Sequence, residues 1–226
     1  MGAPVGGLMG LRVKEIFRTI QGEGSRAGSP AIFVRLAGCN LWSGNPEKRE
    51  GFGECAKWCD TDFVGGERMD PGLAVEQVVA LAEGMRNPLI VLTGGEPALQ
   101  LRRRHGEVFV NELHVALECE VAIETNGSVE ADILDALDHV TVSPKPLMGD
   151  AATIGHIVVR NGDDLKVIVP TTLPLHEMAG WNFKHRFLQP MDRGDTGSAA
   201  LPMTMKLAAS LGWRVSVQTH KMLGLP

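Results

Sequence analysis

The sequence predicts a parallel α/β fold in one domain, and three observations carry that reading. Short apolar strands alternate with helical stretches along most of the chain. The run Pro88 to Thr93 (PLIVLT) is wholly apolar, as expected of a strand covered on both faces. Strand after strand ends in a polar or glycine-bearing motif, and sites in parallel α/β folds sit at those carboxyl ends.

Taken in order, residues 1–10 read as a loose tail. Leu11 to Ile20 alternates as a strand does and runs into Gln21-Gly22-Glu23-Gly24, where two glycines permit a close approach of backbone to a ligand or form a plain hairpin turn. Ala31 to Leu36 is a short apolar strand interrupted by Arg35, which calls for an internal salt bridge or an anion in a pocket. Leu73 to Met85 carries apolar residues at helical spacing. Pro88 to Thr93 ends in Thr93-Gly94-Gly95-Glu96-Pro97, a strand-to-helix turn with proline opening the helix. A helix over 107–118 leads to the strand that ends in Glu124-Thr125-Asn126-Gly127. A helix over Glu130–Leu137 precedes Val140 to Val142 with Ser143-Pro144-Lys145. Strands at Leu165–Val169 and Arg186–Leu188, the second ending in Gln189-Pro190-Met191-Asp192, and a helix near 200–211 that precedes Arg214 to Val217 complete the pattern. This reading gives about six strands, short of the eight of a closed barrel.

A chain of 226 residues is long enough to bury roughly 70–75% of its unfolded surface without staples. A hydrophobic content of 44% with 22% charge is that of a globular protein. The net charge of −5 argues against a nucleic-acid-binding surface, and Arg102-Arg103-Arg104 reads as a solvated helix face. The N-terminus lacks a signal peptide's basic start, and no apolar run reaches spanning length, so a cytosolic location without membrane contact is expected.

Cys39, Cys55 and Cys59 carry the chemistry. The insert over 40–54 between the first two (NLWSGNPEKREGFGE) has neither helical nor strand period, and a structureless loop of that length inside a domain is functional or disordered. In a reducing compartment a disulfide is disfavoured. Spacing leaves zinc and an iron–sulfur cluster both open: zinc would want a fourth ligand, whereas a cluster held by three cysteines leaves one iron free for a small molecule. Cys119 reads as a small apolar core residue. Asp60-Thr61-Asp62 is either a hard-cation site or a polar turn.

Together, Phe17 to Gly24, Arg35 to Trp42, Trp58 to Phe63, Thr93 to Pro97, Glu124 to Ser128, Ser143 to Lys145, Gln189 to Asp192 and Gln218 to Lys221 resemble the radical S-adenosylmethionine enzymes. Within them they resemble the 7-carboxy-7-deazaguanine synthases of queuosine and 7-deazapurine biosynthesis. The segments span nearly the whole chain in the family's order, and the residue count between the last two cysteines, three instead of two, is a departure. The resemblance implies an incomplete, modified (β/α)6 barrel. It implies a [4Fe–4S] cluster on Cys39, Cys55 and Cys59, whose open iron chelates S-adenosylmethionine and cleaves it to a 5′-deoxyadenosyl radical. Gly95, Ser143, Pro144, Lys145, Gln189, Pro190, Met191 and Asp192 would hold S-adenosylmethionine. Thr61 would bind Mg²⁺. Ile20, Gln21, Gly22, Arg35, Thr93 and the terminal Pro226 would bind 6-carboxy-5,6,7,8-tetrahydropterin, with Arg35 on its carboxylate. Ring contraction with loss of ammonia would give 7-carboxy-7-deazaguanine. Trp58 would pack near the adenine or shield the cluster, while Glu124 and His220 match the pattern without an assigned step. The expected partners are a second copy of the chain and a flavodoxin-like or other electron donor. The alternatives are another radical S-adenosylmethionine enzyme, such as a glycyl-radical activase, and a zinc-stabilised binding module.

Overall fold

The computed structural model describes residues 10–147, 154–192 and 199–226. The tail expected over 1–10 therefore lies, apart from Gly10, outside the described residues. The strands are β1 (Leu11–Ile20), β2 (Pro30–Leu36), β3 (Glu67–Met69), β4 (Leu89–Gly94), β5 (Glu120–Thr125), β6 (His139–Val142), β7 (Asn161–Val169), β8 (Asn182–Pro190) and β9 (Arg214–Val215). The helices are α1 (Glu54–Trp58), α2 (Pro71–Leu81), α3 (Ala98–Leu101), α4 (Arg104–Ala116), α5 (Leu175–Met178), α6 (Leu201–Leu211) and α7 (Thr219–Met222).

Among the described residues nine strands form one mixed sheet in the order β3-β1-β2-β4-β5-β6-β7-β8-β9, so the sequence-based count of about six is too low. The strands from β2 through β9 pair in parallel, and β1 pairs antiparallel with both β2 and β3. The extra strands are short or antiparallel edge pieces, which carry too few residues to show a period.

Period-two alternation divides the sheet chemically. On the outer face, Ile32, Val34, Leu36, Ile90, Leu92, Val121, Ile123, Val142, Leu165 and Val167 pack with the helices into the main core. α2 starts at Asp70, whose side chain accepts from the Gly72 N–H at 2.9 Å, and it buries Pro71, Ala74, Val75 and Val78. α4 buries Phe109, Val110 and Leu113 at helical spacing, each worth roughly 1.5–3 kcal/mol relative to exposure. α6 ends at Gly212 with φ 68°, the left-handed cap that glycine adopts without a Cβ penalty.

The inner face changes character along each strand. Ala31, Leu89, Val91 and Ala122, with Phe33 against them, make a small apolar patch at the amino ends. One or two steps further along come Arg35, Thr93 and Glu124. The two sheet edges are tied by loops. The segment after β9 reaches back to the loop after β1: Thr219 N–H donates to the Gly22 carbonyl at 3.1 Å, and Gly24 N–H donates to Ser216 Oγ at 3.0 Å.

Two local expectations are corrected. Glu130–Leu137 contains a 3-10 turn at Asp132–Ala136 in place of an α-helix. The insert over 40–54 is not structureless. It carries a 3-10 turn at Pro46–Gly51, capped by Asn45, and leads straight into α1, which bears Cys55. Arg102, Arg103 and Arg104 are exposed at the start of α4, as expected.

Candidate active site

A cavity of about 540 Å³ opens at the carboxyl ends of the parallel strands, in the range of small-molecule sites. Among the residues singled out from sequence, Ile20, Gln21, Arg35, Cys39, Cys55, Cys59, Thr61, Thr93, Gly95, Ser143, Lys145, Gln189, Pro190, Met191, Asp192 and Pro226 all line it. Gly22 and Pro144 do not. Gly22 serves from behind: its carbonyl accepts from Thr219, and a Cβ there would meet His220 Nδ1 at 1.9 Å.

The sulfur wall is built on two turns. Cys39 follows β2, and Cys55 and Cys59 bracket α1. Trp42, Ala56 and Phe63 form a buried cluster with Cys39, Phe52 and Cys59 packed against it. The Cys55 thiol donates to Cys59, which lowers Cys59 to about 6 and raises Cys55. Cys39 is raised by burial. Burial pulls the Lys145 ammonium down, and the thiols of Cys55 and Cys59 offset part of that. Cys119 stands apart on the outer core, its thiol raised to about 11 by burial. No three or more His, Cys, Asp or Glu side chains among the described residues are gathered as ligands of a single metal ion.

The glycine pair after β4 lets backbone run against backbone. A Cβ on Gly95 would lie 2.2 Å from the Gly38 carbonyl oxygen and 2.8 Å from Cys39 Cβ. Glu96, in the same motif, is fully buried and does not line the cavity. Its carboxylate accepts from Thr125 Oγ1 and Asn126 N, both at 2.7 Å, and from Ala98 N at 3.0 Å, tying the β4 turn to the β5 turn. Asn126 Nδ2 donates in turn to Asn40 Oδ1 at 3.1 Å, anchoring the segment that carries Cys39.

Opposite the sulfurs lies a charge network that the sequence reading did not single out in full. Lys166, read only as part of the strand LKVIV, is buried on the inner face of β7 and pairs with Glu23 Oε2 and, at 3.6 Å, Glu124 Oε1. Glu23 Oε1 accepts from Gln189 Nε2 at 3.0 Å and Gln218 Nε2 at 2.8 Å. Glu124 accepts from Gln21 Nε2 at 3.3 Å and Thr93 Oγ1 at 3.1 Å. Burial works against ionisation of Glu23, but Lys166 and the two glutamines hold it down at about 2. Burial likewise opposes the Lys166 charge, and Glu124 and Glu23 overcome it and raise its pKa. The signal available in the sequence was the lysine inside an apolar strand.

At the cavity mouth, Arg35 Nε pairs with Glu15 Oε1 at 2.6 Å, as the salt-bridge reading expects, and the side chain lies over the Phe17 ring and lines the cavity. Asp62 pairs with Lys14 at 2.7 Å, and Lys221 bridges Asp60 at 2.6 Å and Asp192 at 3.0 Å. Thr61, between the two paired aspartates, lines the cavity. The C-terminal segment closes one side, and Thr19 Oγ1 donates to the Pro226 carbonyl at 3.0 Å.

No protein-family model matches the chain. The 7-carboxy-7-deazaguanine synthase of Nitratidesulfovibrio vulgaris is 41% identical over 236 residues, covering 96% of this chain and 100% of that protein. That of Burkholderia multivorans is 40% identical over 231 residues, with the same coverage of each. The crystal structure of QueE from Escherichia coli matches 92% of this chain and 93% of its own with a TM-score of 0.61 at 23% identity, a likeness of fold. With such relatives matched over nearly its full length, the chain belongs to the 7-carboxy-7-deazaguanine synthase family.

Proposed function

We propose that this protein converts 6-carboxy-5,6,7,8-tetrahydropterin into 7-carboxy-7-deazaguanine with loss of ammonia, using a [4Fe–4S] cluster, S-adenosylmethionine and Mg²⁺. The observation that carries the proposal is the meeting, in one cavity, of three thiols with an arginine and a buried acid–base network. The donor set fits the cluster. The three thiols share one wall, and Cys119 stands outside it. A tetrahedral zinc would need its sulfurs drawn to about 2.3 Å from one ion. A cluster that takes one thiolate on each of three irons needs no such convergence and leaves its fourth iron free.

When bound, the cluster and S-adenosylmethionine supply one-electron chemistry, and the chain supplies position and charge. Cys39, Cys55 and Cys59 hold the cluster. Gly95 would lie against the methionyl end of S-adenosylmethionine, its missing Cβ leaving room for the Gly38 carbonyl behind it. Ser143, Pro144, Lys145 and Gln189 to Asp192 would surround the rest of it, with Pro144 set back from the cavity lining. Arg35 binds the substrate carboxylate as a planar, charged donor. Glu124 Oε2, which among the described residues accepts from Thr93 alone, has acceptor capacity left for an N–H of the pterin ring. Ile20, Gln21, Gly22, Thr93 and Pro226 complete the substrate pocket. Thr61 would contribute its hydroxyl to Mg²⁺, a hard cation that takes oxygen ligands.

The finer architecture of this reading is a partial (β/α)6 barrel in a single domain spanning 1–226, supported by the contacts between the C-terminal segment and the loop after β1. A homodimer, a flavodoxin-like or other one-electron donor and a reducing, cytosolic setting belong to the same reading through the family. No helix of the described residues is long and apolar enough to cross a membrane.

The test is anaerobic turnover of the reconstituted protein with S-adenosylmethionine, reductant, Mg²⁺ and 6-carboxytetrahydropterin, read by mass spectrometry. Formation of 7-carboxy-7-deazaguanine is expected. 5′-Deoxyadenosine without that product would keep the radical chemistry and reject the substrate, and zinc in place of iron and sulfide would reject the cluster.

A further inference from the structure

The insert over 40–54 holds two residues that the reaction as described does not use, Trp42 and Arg49. Trp42 is 4% exposed and packs edge-on against Phe63, with ring centroids 5.6 Å apart and an interplanar angle of 87°. A phenylalanine would supply an apolar ring there without a donor. The indole adds an N–H, and that N–H is wholly buried without a hydrogen bond. A buried donor left unpaired is costly and calls for an explanation. The Cys59 side chain, with its sulfur, packs against the cluster that Trp42 forms with Ala56 and Phe63.

Arg49 completes the arrangement. Its guanidinium lies over the Trp42 ring at 4.9 Å from the centroid. Its Nη1 donates to the Ala56 carbonyl at 2.9 Å and its Nη2 to the Cys59 carbonyl at 3.3 Å. The insert thus folds back on the turn that carries Cys55 and Cys59, bringing a cation and a buried, unpaired N–H to the Cys59 side of the sulfur wall.

We propose that Trp42 donates its indole N–H to the Cys59 sulfur once the cluster is bound, and that this bond, with Arg49 stacked behind it, raises the cluster's reduction potential. A donor to a ligating sulfur stabilises the reduced, more negative cluster, and hydrogen bonding to the sulfurs is one of the factors that set such potentials. The inference rests on the cluster reading above. Trp42 is a positioning residue here, because it touches a ligand and not the reacting atoms. The insert then has a definite task, which is to set how strong a reductant the enzyme needs.

The experiment compares wild type, Trp42→Phe and Arg49→Gln after anaerobic reconstitution, with iron and sulfide assayed and the potential read by EPR-monitored redox titration. Both variants should keep iron and sulfide and shift to a more negative potential. Equal potentials with full clusters would overturn the hydrogen bond and leave the cluster reading intact. A wild type that takes up no iron would overturn both. A measurement that does not depend on the Trp42 variant folding uses pulsed EPR on the reduced cluster of Trp58→Phe protein carrying ¹⁵N-labelled indoles. A resolved ¹⁵N coupling supports the proposal, and its absence overturns it.

Discussion

Lys166 and Glu23 meet as a direct ion pair on the inner face of the sheet, both withdrawn from water, although 143 residues separate them in the chain. Removing one partner of such a pair strands the other charge in a poorly solvated place, which typically costs about 3–5 kcal/mol. Lys166→Met should therefore lower stability by about that much at neutral pH, measured by urea unfolding. The double variant with Glu23→Gln should recover part of the loss. A loss below about 1 kcal/mol would mean that the pair is screened like a surface bridge.

The same pair sets an acid limb of stability. The Glu23 carboxyl is lowered from 4.5 to about 2, so its contribution is complete above pH 4.5 and is lost as the pH falls through about 2. Lys166 is raised above 10.5, so its contribution is complete below pH 10.5 and is lost as the pH rises through the folded value. Urea midpoints measured from pH 7 down to 2 should fall more steeply below pH 4.5 in the wild type than in Glu23→Gln. Parallel curves would contradict the assignment.

Substituting the cysteines should split them into two classes. Cys55→Ala is expected to abolish both the brown chromophore and turnover, since three thiols are the whole donor set of the sulfur wall. Cys119→Ala, on the outer core and away from the cavity, should keep both. Iron and sulfide assays and the visible spectrum decide. A full cluster in Cys55→Ala would reject the ligand assignment.

Arg35→Ala should act on substrate and not on the cluster. A hydrogen bond to a charged group contributes about 1.5–3 kcal/mol, so KM for the pterin should rise roughly 10- to 100-fold with iron and sulfide unchanged. Because Arg35 also pairs with Glu15, Glu15→Ala serves as the control and should leave KM within about threefold, the scale of an exposed pair. An unaltered KM in Arg35→Ala would rule out the carboxylate contact.

Gly22→Ala tests how the cavity is closed. The added Cβ would lie 1.9 Å from His220 Nδ1 and 2.8 Å from the His220 backbone nitrogen, so the terminal segment must move and take Pro226 with it. The expected result is a raised KM and faster proteolysis after Gln218, with the cluster retained. Wild-type KM and wild-type proteolysis together would show that the terminal segment takes no part in binding.

The sequence by itself determined the alternation of strands and helices and the polar chemistry at the strand ends. Both are written in consecutive residues: the period of LIVLT or of α2, the caps, and the glycines and cysteines that follow a strand. Where the pattern was short it failed, as at β3, β9 and the 3-10 turn at Asp132–Ala136. Only the tertiary structure decided which of these residues meet. Sheet order and register brought Lys166 to Glu23 and Glu124 and made Glu96 a buried tie between two turns. They also joined the C-terminal segment to the loop after β1 and folded an apparently shapeless insert against the sulfur wall. The physical reason is that burial and ion pairing depend on neighbours far apart in the chain. No local period can report which inner-face charges will face one another once the strands are laid side by side.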